Sequence, residues 1–414
     1  MQGANVGSGD CTQYSVRPGA DSMPFPNSYA GMTFRPDPRS AGRPPTVVHL
    51  TSAHDPRDPR ISRKQCATLR DAGYDVRLVA PNAGIAAVDG VPVLSIPAVG
   101  DRYSRIRRLL PLLRVAHSLN ADAYHLHDPE LLLIGWMLKK QTGAAIVYDM
   151  HEDYQTRGAF VGRLIRLMER WAFGWLDAVV LAEERYAPVL AGTSVPSVFI
   201  GNYHKPVTDA PSHPLPEALP DVPTLLYTGS VSPRRGLTAM LRATAALHEA
   251  GIPASLTLGG ICRSAAHRHA AERFLQQHNL QDAVRREGWS TYLPASDMAP
   301  LYRHADVGLA LFEPHPNYVK SLPTKFFEYL HHGLPIIATD VPLWRRFIET
   351  HACGAVVPEG RPQAVVEVVR HWQTHPAAYR ACADAARRAA PQYRWEAMRP
   401  RLLDLYERVL ASSP

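Results

Sequence analysis

The sequence predicts an α/β protein with two Rossmann-like, doubly wound parallel sheets that face each other across a cleft. Short apolar strands alternate with helical segments from Thr46 onward, and a stretch with six prolines, 204–223, interrupts the alternation before it resumes at Thr224. Strands that alternate with helices form parallel sheets through right-handed crossovers. Ligands bind such sheets outside the carboxyl ends of the strands, so we expect a ligand in the cleft.

Both halves of the chain supply candidate strands, whose near-continuous apolar runs indicate burial on both faces. The first half offers Thr46–Thr51, Tyr74–Ala80, Val91–Ile96, Ala123–His127, Ala145–Asp149, Ala178–Ala182 and Ser197–Gly201. The second half offers Thr224–Thr228, Ser255–Leu258, Val307–Leu311 and Leu334–Thr339. Helical patterns lie between the first strands, at Ile61–Ala72, Pro129–Gln141, Val161–Trp175 and Glu183–Leu190.

These patterns predict a domain division. Residues 1–45 hold seven prolines, six glycines and five serines, a composition typical of a disordered extension. Residues 46–203 together with 392–414 are predicted to form the first domain, 204–223 the linker, and 224–391 the second domain.

Composition narrows the classes of partner and compartment. The formal net charge of +7 suits phosphorylated ligands, anionic lipid or nucleic acid, but the basic residues lack interleaved aromatic side chains, so we do not expect nucleic-acid binding. Five dispersed cysteines favour a reducing compartment over a disulfide framework or zinc site. No apolar run approaches the roughly 18 residues of a membrane span, and residues 1–45 lack the apolar core of a signal peptide, so a cytoplasmic location is expected.

The segment Lys320–Asp340 carries the clearest sign of a ligand. A polar loop leads into a predicted helix from Thr324 that Gly333 caps, and the helix N-terminus offers backbone amides to an anion. Glu328 follows one turn into that helix. Amides for a phosphate beside a carboxylate for hydroxyls are typical of a sugar-nucleotide site.

Two glycine-rich turns follow strands of the same half. Gly229, Ser230, Arg235 and Gly236 belong to a turn that opens a helix, where close backbone approach and Arg235 can neutralise a diphosphate. Gly259 and Gly260 end the next strand. Tight strand–helix turns with solvated arginines remain an alternative interpretation.

Taken in order, these segments resemble the donor domain of a GT-B-fold glycosyltransferase, in particular the retaining family 4, the glycosyl transferases group 1. The matching segments are Gly229–Gly236, Gly259–Gly260, Glu287–Trp289, Leu301–Leu311 and Lys320–Asp340. In the first half, Asp122–Asp128 and Tyr148–Glu152 resemble two strand-end loops of that family's acceptor domain. Trp395–Leu410 resembles the segment that crosses back onto the first domain.

The resemblance implies roles for individual residues. Glu328 matches the glutamate that holds the donor ribose, and Arg235 stands where the family has a phosphate-binding lysine. Ser230 stands where an arginine is usual, so one phosphate contact is lost or replaced. Lys320 replaces a glutamate that contacts the transferred sugar; it is solvated, binds a donor phosphate, or pairs with a carboxylate on the sugar.

The resemblance also implies that His151 contacts the transferred sugar or orients the acceptor hydroxyl, the alternative being a histidine satisfied by neighbouring backbone. His125 and His127 share one strand face, but no third ligand is evident from the spacing, and the chain has no Asp-x-Asp pair. We therefore expect a donor site without a metal cofactor.

Two basic stretches remain open between two interpretations. The loop Thr51–Ile61, with His54, Asp55, Arg57 and Arg60, either shapes acceptor recognition or is a charged surface turn. The stretch Arg102–Ser118, with five arginines and no acidic residue, either lies on an anionic membrane or packs on the sheet with its basic side in water. Pro111 should kink or restart that helix. Arg157, Arg163, Arg166 and Arg170 would extend the same basic face.

The sequence thus predicts a glycosyltransferase that moves a sugar from a nucleotide-diphosphate sugar to a saccharide or lipid-linked acceptor. Retention and a role in cell-surface polysaccharide synthesis are also expected. The alternatives are a nucleotide-sugar epimerase or hydrolase of the same fold, and a catalytically silent partner of another transferase.

Overall fold

The computed structural model describes residues 42–81, 84–96, 104–151, 159–206, 217–291, 293–316 and 318–412. Most of the predicted N-terminal extension, 1–41, and the middle of the predicted linker, 207–216, lie outside the described residues. No helix in the described ranges is both long and apolar enough to cross a membrane.

The first half of the chain forms an eight-stranded sheet in the order β3-β4-β2-β1-β5-β6-β7-β8. Its strands are β1 (Thr46–Leu50), β2 (Asp75–Pro81), β3 (Ala87–Val88), β4 (Val91–Ile96), β5 (Ala123–Leu126), β6 (Ala145–Met150), β7 (Ala178–Leu181) and β8 (Ser197–Phe199). Neighbouring strands pair in parallel except β3, which pairs with β4 as an antiparallel hairpin that the sequence pattern did not reveal.

Helices cover both faces of this sheet. The predicted helix at Ile61–Ala72 is a π-helical segment, Pro59–Cys66, followed by α1 (Ala67–Asp71), and the one at Glu183–Leu190 is a 3₁₀ segment. The remaining helices of this half are α2 (Ser104–Ser118), α3 (Leu132–Thr142) and α4 (Ala159–Ala172). Pro111 lies inside α2, which runs on as one helix, so of the two outcomes expected, a kink or a restart, the restart does not occur.

The first sheet has an apolar core on each of its two faces. One joins α2, α3 and α4 to one face through residues such as Leu112, Leu132 and Ala172. The other covers the opposite face with the π-helical segment, α1 and the last helix of the chain, which contribute Ile61, Leu69 and Leu402. Because both faces are covered, the strands are apolar along most of their length, as the sequence predicted.

The second half forms a six-stranded, fully parallel sheet in the order β11-β10-β9-β12-β13-β14. Its strands are β9 (Thr224–Thr228), β10 (Ser255–Gly259), β11 (Val284–Glu287), β12 (Val307–Ala310), β13 (Ile336–Thr339) and β14 (Gly354–Val357). Its helices are α5 (Leu237–Glu249), α6 (Ala265–Gln277), α7 (Ala295–Arg303), α8 (Thr324–His332), α9 (Pro342–His351), α10 (Pro362–Thr374) and α11 (Pro376–Ala389). Two parallel α/β sheets confirm the predicted fold class.

The chain passes between the two sheets twice, and the two passages lie side by side. His204 follows β8, and its backbone N–H donates to the carbonyl of Tyr393, while its own carbonyl accepts from Trp395. The chain then enters α12 (Arg399–Ala411), which packs on the first sheet. Beside the passages, the ring of Tyr203 lies 4.9 Å from that of Phe327 on α8 and 5.2 Å from that of Tyr393.

Candidate active site

Each sheet has a point where the strand order reverses, and the predicted site residues follow the strands at these points. In the first sheet the reversal lies between β1 and β5, and in the second between β9 and β12. A crevice opens at such a reversal because the connections on its two sides run in opposite directions. His54, Asp128 and Gly229 all lie in loops that begin at these strand ends.

His151 lies one residue beyond β6, where two hydrogen bonds orient it. Its Nδ1 is 3.0 Å from the carbonyl oxygen of Asp149, and its Nε2 is 3.1 Å from the Nε2 of His54. A bond to a carbonyl requires the proton on Nδ1, so the Nε2 of His151 is the acceptor and His54 the donor. His151 is therefore held by backbone and by a second histidine that the sequence left unassigned.

His54 sits between two carboxylates. Its Nε2 is 3.4 Å from the Oδ1 of Asp128 and its Nδ1 is 3.7 Å from the Oδ2 of Asp58. Burial opposes the charge on the imidazole, but these two carboxylates outweigh burial and raise the pKa of His54 to about 10. His54 is consequently an imidazolium at neutral pH, and it brings a fixed positive charge to the edge of the first sheet.

Asp128 is fully buried directly after β5 and is held by donors on its other oxygen. The hydroxyl of Thr51 donates to its Oδ2 at 2.7 Å and the backbone N–H of Ser52 at 2.8 Å. Burial would raise the pKa of Asp128, but His54 and these hydrogen bonds hold it below its usual range. The loop after β1 is thereby fastened to the end of β5.

Asp149, at the end of β6, anchors a buried ion pair. The guanidinium of Arg60 donates to both of its oxygens, at 2.9 and 2.6 Å, and Gln65 donates to its Oδ2 at 3.0 Å. Burial would raise the pKa of Asp149, but Arg60 and the nearby histidines keep it well below its usual value. Within the loop Thr51–Ile61, His54 and Arg60 thus point inward, whereas Asp55 and Arg57 pair with each other on the surface.

A third histidine, which the sequence spacing did not reveal, lies beside His125 and His127, because β1 brings His49 to the same place. The three rings lie 4.6 to 5.2 Å apart and stack nearly parallel. The Nδ1 of His49 is 2.9 Å from the Nε2 of His127, and the Nδ1 of His125 is 2.8 Å from the hydroxyl of Tyr406. Burial lowers the pKa of all three, so they are neutral members of a buried hydrogen-bonded network.

In the second sheet, the two glycine-rich turns pack backbone against backbone. Gly260 has a φ of +137°, and a Cβ at this position would lie 2.0 Å from the carbonyl oxygen of Gly229. Gly236 has a φ of +87°, and its Cβ would lie 2.4 Å from the carbonyl oxygen of Leu311. Gly229 donates its N–H to Gly259 at 2.7 Å. These close contacts require glycine at positions 236 and 260. They leave backbone without side chains at the strand ends.

Ser230 and Arg235 take different positions in the first of these turns. Ser230 is exposed, and its carbonyl accepts a hydrogen bond of 2.9 Å from Tyr227. Arg235 is half-buried, with its guanidinium 5.4 Å from the ring centre of Tyr318 and 5.9 Å from that of Phe312. Aromatic faces restrict an arginine without neutralising it, so Arg235 keeps its charge for a ligand.

Glu328 lies where the sequence predicted, one turn into α8, and its surroundings add residues that the sequence analysis missed. Its Oε2 accepts from the ammonium of Lys325 at 2.5 Å and from the hydroxyls of Tyr302 and Thr228. Lys325 is also next to Gly229, since its Cε would lie 3.2 Å from a Cβ at that glycine. The signal was a lysine three residues before the glutamate, the spacing that places two side chains on one helix face.

The two ends of the loop before α8 differ. Thr324 is half-buried as the first residue of α8, at the helix N-terminus. Lys320 is exposed, and none of the residues that the structure describes pairs with it. The structure therefore brings Lys325 and Glu328 into contact near Thr324 at the start of α8, whereas Lys320 is exposed without a partner among the described residues.

Lys64 connects the two sheets electrostatically. It is buried on the π-helical segment, and its ammonium donates to the Oδ1 of Asn202 at 2.7 Å. Burial first, and then Arg60, lower its pKa to about 7, while the carboxylate of Glu328 in the other domain acts in the opposite direction. The strand ends of the two domains are thus close enough for their charges to interact.

Two parallel α/β domains with charged groups at their neighbouring strand ends define a glycosyltransferase of the GT-B class. The chain belongs to the group 1 glycosyltransferases. Residues 59–198 match the family model "Glycosyl transferase 4-like domain", and residues 222–374 match "Glycosyl transferases group 1". The two matches together span both sheets.

Solved structures of low sequence identity share the fold. Sucrose-phosphate synthase from Thermosynechococcus elongatus superposes with a TM-score of 0.67 at 19% identity, over 89% of this chain and 100% of that one. HepE from Anabaena, in complex with UDP and glucose, gives 0.66 at 11% identity, over 87% and 99%. WaaG, a glycosyltransferase involved in lipopolysaccharide biosynthesis, gives 0.62 at 17% identity, over 87% and 99%. No curated protein matched in sequence.

Proposed function

We propose that this enzyme transfers a sugar, with retention, from a nucleoside-diphosphate sugar to a saccharide or lipid-linked saccharide. The observation that carries the proposal is the cluster of Lys325, Glu328 and Tyr302 beside Gly229, at the reversal point of the second sheet. A carboxylate and an ammonium that lie beside bare backbone match a ligand with both hydroxyls and phosphates.

The proposed division of labour follows the two sheets. Residues 224–391 bind the donor, with its ribose hydroxyls on Glu328 and its diphosphate near Gly229, Arg235 and the N-terminus of α8 at Thr324. Lys325 supplies the positive charge that Ser230 does not. Residues 46–203 with 392–414 hold the acceptor, and 204–223 is the linker between them.

The chemistry proposed for this site is charge stabilisation on the leaving group. As the bond between the anomeric carbon of the donor sugar and its phosphate oxygen breaks, negative charge grows on the diphosphate. Lys325, Arg235 and the amides of α8 are placed to stabilise that charge. With retention, the leaving diphosphate takes the proton of the attacking hydroxyl on the same face of the sugar. His151, with its Nδ1 proton fixed on the carbonyl of Asp149, exchanges the His54 contact at its Nε2 for a sugar or acceptor hydroxyl when substrate binds.

Features of the first domain favour transfer over the alternative reactions. An epimerase or hydrolase would use a carboxylate of the cleft as acid or base, and Asp149 is fully buried and engaged by Arg60. The other two candidates, Glu152 and Asp153, lie outside the described residues. A catalytically silent protein would have lost the donor site, whereas the Lys325–Glu328 pair retains both charges.

The acceptor and biological setting are proposed from the structural relatives. One structural relative takes part in lipopolysaccharide biosynthesis and another was solved with UDP and glucose. We propose a role in assembling a cell-surface polysaccharide, in the cytoplasm, with a nucleoside-diphosphate sugar as donor.

A donor screen tests the proposal. Thermal shift with a panel of UDP-, GDP-, ADP- and dTDP-sugars should give one or two that raise the Tm, because a ligand that binds the folded state stabilises it. Incubation of that donor with oligosaccharide acceptors, followed by NMR of the product, then reports the anomeric configuration. Activity should persist in excess chelator. If no nucleotide sugar binds, or if binding donors give only the free or epimerised sugar, transfer is the wrong reaction.

A further inference from the structure

The exposed apolar side chains of this protein gather on one surface. Nine large apolar side chains are exposed in the described part of the chain, and all but Val222 lie on three helices of the first domain. These eight are Leu110 on α2, Leu133 and Trp136 on α3, and Phe160, Val161, Leu164, Leu167 and Trp171 on α4. Contiguous exposed apolar surface of this kind marks an interaction site.

The centre of this surface is α4. Phe160, Leu164, Leu167 and Trp171 are 80, 51, 61 and 45% exposed. Their spacing of four, three and four residues places them on one side of a helix with 3.6 residues per turn. The ring of Trp136 on α3 lies 6.1 Å from that of Trp171, so the apolar stripe continues onto the neighbouring helix.

Positive charge runs alongside the apolar stripe. Arg163, Arg166 and Arg170 project about a quarter turn away from it. The acidic residue of α4, Glu169, is buried and accepts a hydrogen bond of 3.0 Å from Tyr148, so it does not face outward. Over α2, α3 and α4 the sequence has nine lysines and arginines against this one carboxylate. An apolar stripe bordered by arginines is the pattern of a helix that lies in a membrane interface.

The surface differs from the one that the sequence suggested. The sequence left the stretch Arg102–Ser118 open between membrane contact and packing on the sheet. Leu112 and Leu113 of α2 are buried against the sheet, and Arg108 donates to the carbonyl of Ser52. Leu110 is the exposed apolar residue that α2 contributes. The apolar face therefore belongs to α4, with α2 at its margin.

The location of α4 relates this surface to the cleft. Parallel pairing of β6 and β7 requires α4 to return along the sheet, so its first turn lies near the carboxyl end of β6, where His151 is found. Phe160, in that first turn, has the largest exposed fraction of the eight side chains. The most exposed apolar side chain of the helix is thus on the side of the proposed acceptor site.

We propose that the face formed by α4, Leu133, Trp136 and Leu110 docks on an anionic lipid bilayer. Apolar side chains enter the headgroup region and the arginines pair with lipid phosphates, which orients the cleft toward acceptors held in the membrane. A second copy of this chain is a poorer occupant, because a twofold contact would bring the arginines of α4 against their own copies. The proposal does not depend on the donor or on transferase activity.

Vesicle flotation with the full-length protein tests the proposal. Vesicles of phosphatidylcholine alone are compared with vesicles in which about a third of the lipid is phosphatidylglycerol, a composition whose negative surface attracts basic residues. Wild-type protein should float with the anionic vesicles and remain at the bottom with the neutral ones, and salt should weaken the binding.

Two variants and one matched control separate the contributions. Leu164→Gln/Leu167→Gln removes apolar surface and Arg163→Gln/Arg170→Gln removes charge; each should weaken binding to anionic vesicles at least tenfold. Arg380→Gln/Arg388→Gln removes two exposed arginines from α11 in the other domain and should bind as wild type. Circular dichroism and Tm establish that each variant is folded.

Three results would overturn the proposal. They are wild-type protein that fails to float with anionic vesicles, an α11 control that loses as much binding as the α4 variants, and α4 variants that bind as wild type. If wild type instead sediments as a dimer that the leucine variant dissociates, and does not bind vesicles, the face serves a second copy of the chain.

Discussion

The strand ends of the two domains are built in different ways. In the first domain, side chains from four separate segments meet: Arg60, Asp128, Asp149 and the histidines form a buried network of charges and hydrogen bonds. In the second, glycine backbones pack together and one short helical turn carries Lys325 and Glu328. The first arrangement ties stability to the site, whereas the second leaves charged groups available for a ligand. Substitutions should therefore affect folding in the first domain and donor binding in the second.

The largest expected effect is on folding, at Asp149. Asp149→Asn leaves the guanidinium of Arg60 buried without its carboxylate, which should lower the free energy of unfolding by about 3–5 kcal/mol. The matched control is Asp177→Asn, which breaks the half-exposed pair with Lys139 and should cost about 1 kcal/mol or less. Urea unfolding measures both. Equal losses would mean that the first domain is no more dependent on its charges than on its surface pairs.

Donor binding should respond next, at Glu328 and Lys325. Glu328→Gln should weaken nucleoside mono- and diphosphates alike by about 2–3 kcal/mol, roughly 30- to 150-fold in Kd, because both carry the ribose. Lys325→Met should weaken diphosphates more than monophosphates, since it removes charge near the phosphates. Titration calorimetry measures both, with Glu367→Gln, on the exposed side of α10, as the control. If Lys325→Met weakens monophosphates as much as diphosphates, the proposed placement of the diphosphate beside Lys325 is wrong.

His54 links stability to pH in the first domain. Its pKa is raised in the folded state, so its contribution is fully present below the unfolded value near 6.5 and is lost as pH rises toward about 10. The difference in unfolding free energy between wild type and His54→Asn should be on the order of 3 kcal/mol at pH 6 and should approach zero near pH 10. Denaturant titrations between pH 6 and 10 follow this change. A difference that does not vary with pH would show that His54 is not held as an imidazolium.

The smallest effect is expected at Lys320. Because this side chain is exposed and pairs with none of the described residues, Lys320→Ala should change kcat/KM by about twofold or less, which corresponds to roughly 0.5 kcal/mol. Kinetics with the donor and with a uronic acid analogue measure the change. A loss confined to the donor with a carboxylate on its sugar would instead establish Lys320 as a specificity residue and extend the donor site beyond α8.

The sequence was sufficient for the interior strands and for α8 because their signals are local. Apolar runs such as Thr46–Leu50 are buried on both faces, and α8 begins at Thr324 and is capped by Gly333 as predicted. The strands β11 and β14 were missed. Both are short and lie at the edges of the second sheet, and β11 reads Val-Arg-Arg-Glu, which is not an apolar run.

The limits at the site have the same physical origin. Glu328 could be placed because its helix, cap and spacing lie within one short segment. The contact between His54 and His151 joins residues 97 positions apart, and His49 meets His127 across 78, so nothing in their local sequence distinguishes them. Lys325 was within reach of sequence reasoning, as its spacing from Glu328 is that of a helix face.

The paired passages of the chain at His204 and Arg394 have a mechanical consequence. The domains are joined by two backbone segments rather than one, and these segments are bridged to each other at His204 and Arg394. Two bridged segments restrict the relative motion of the domains more than a single linker would. A protease cut in either passage alone would leave the two domains attached through the other.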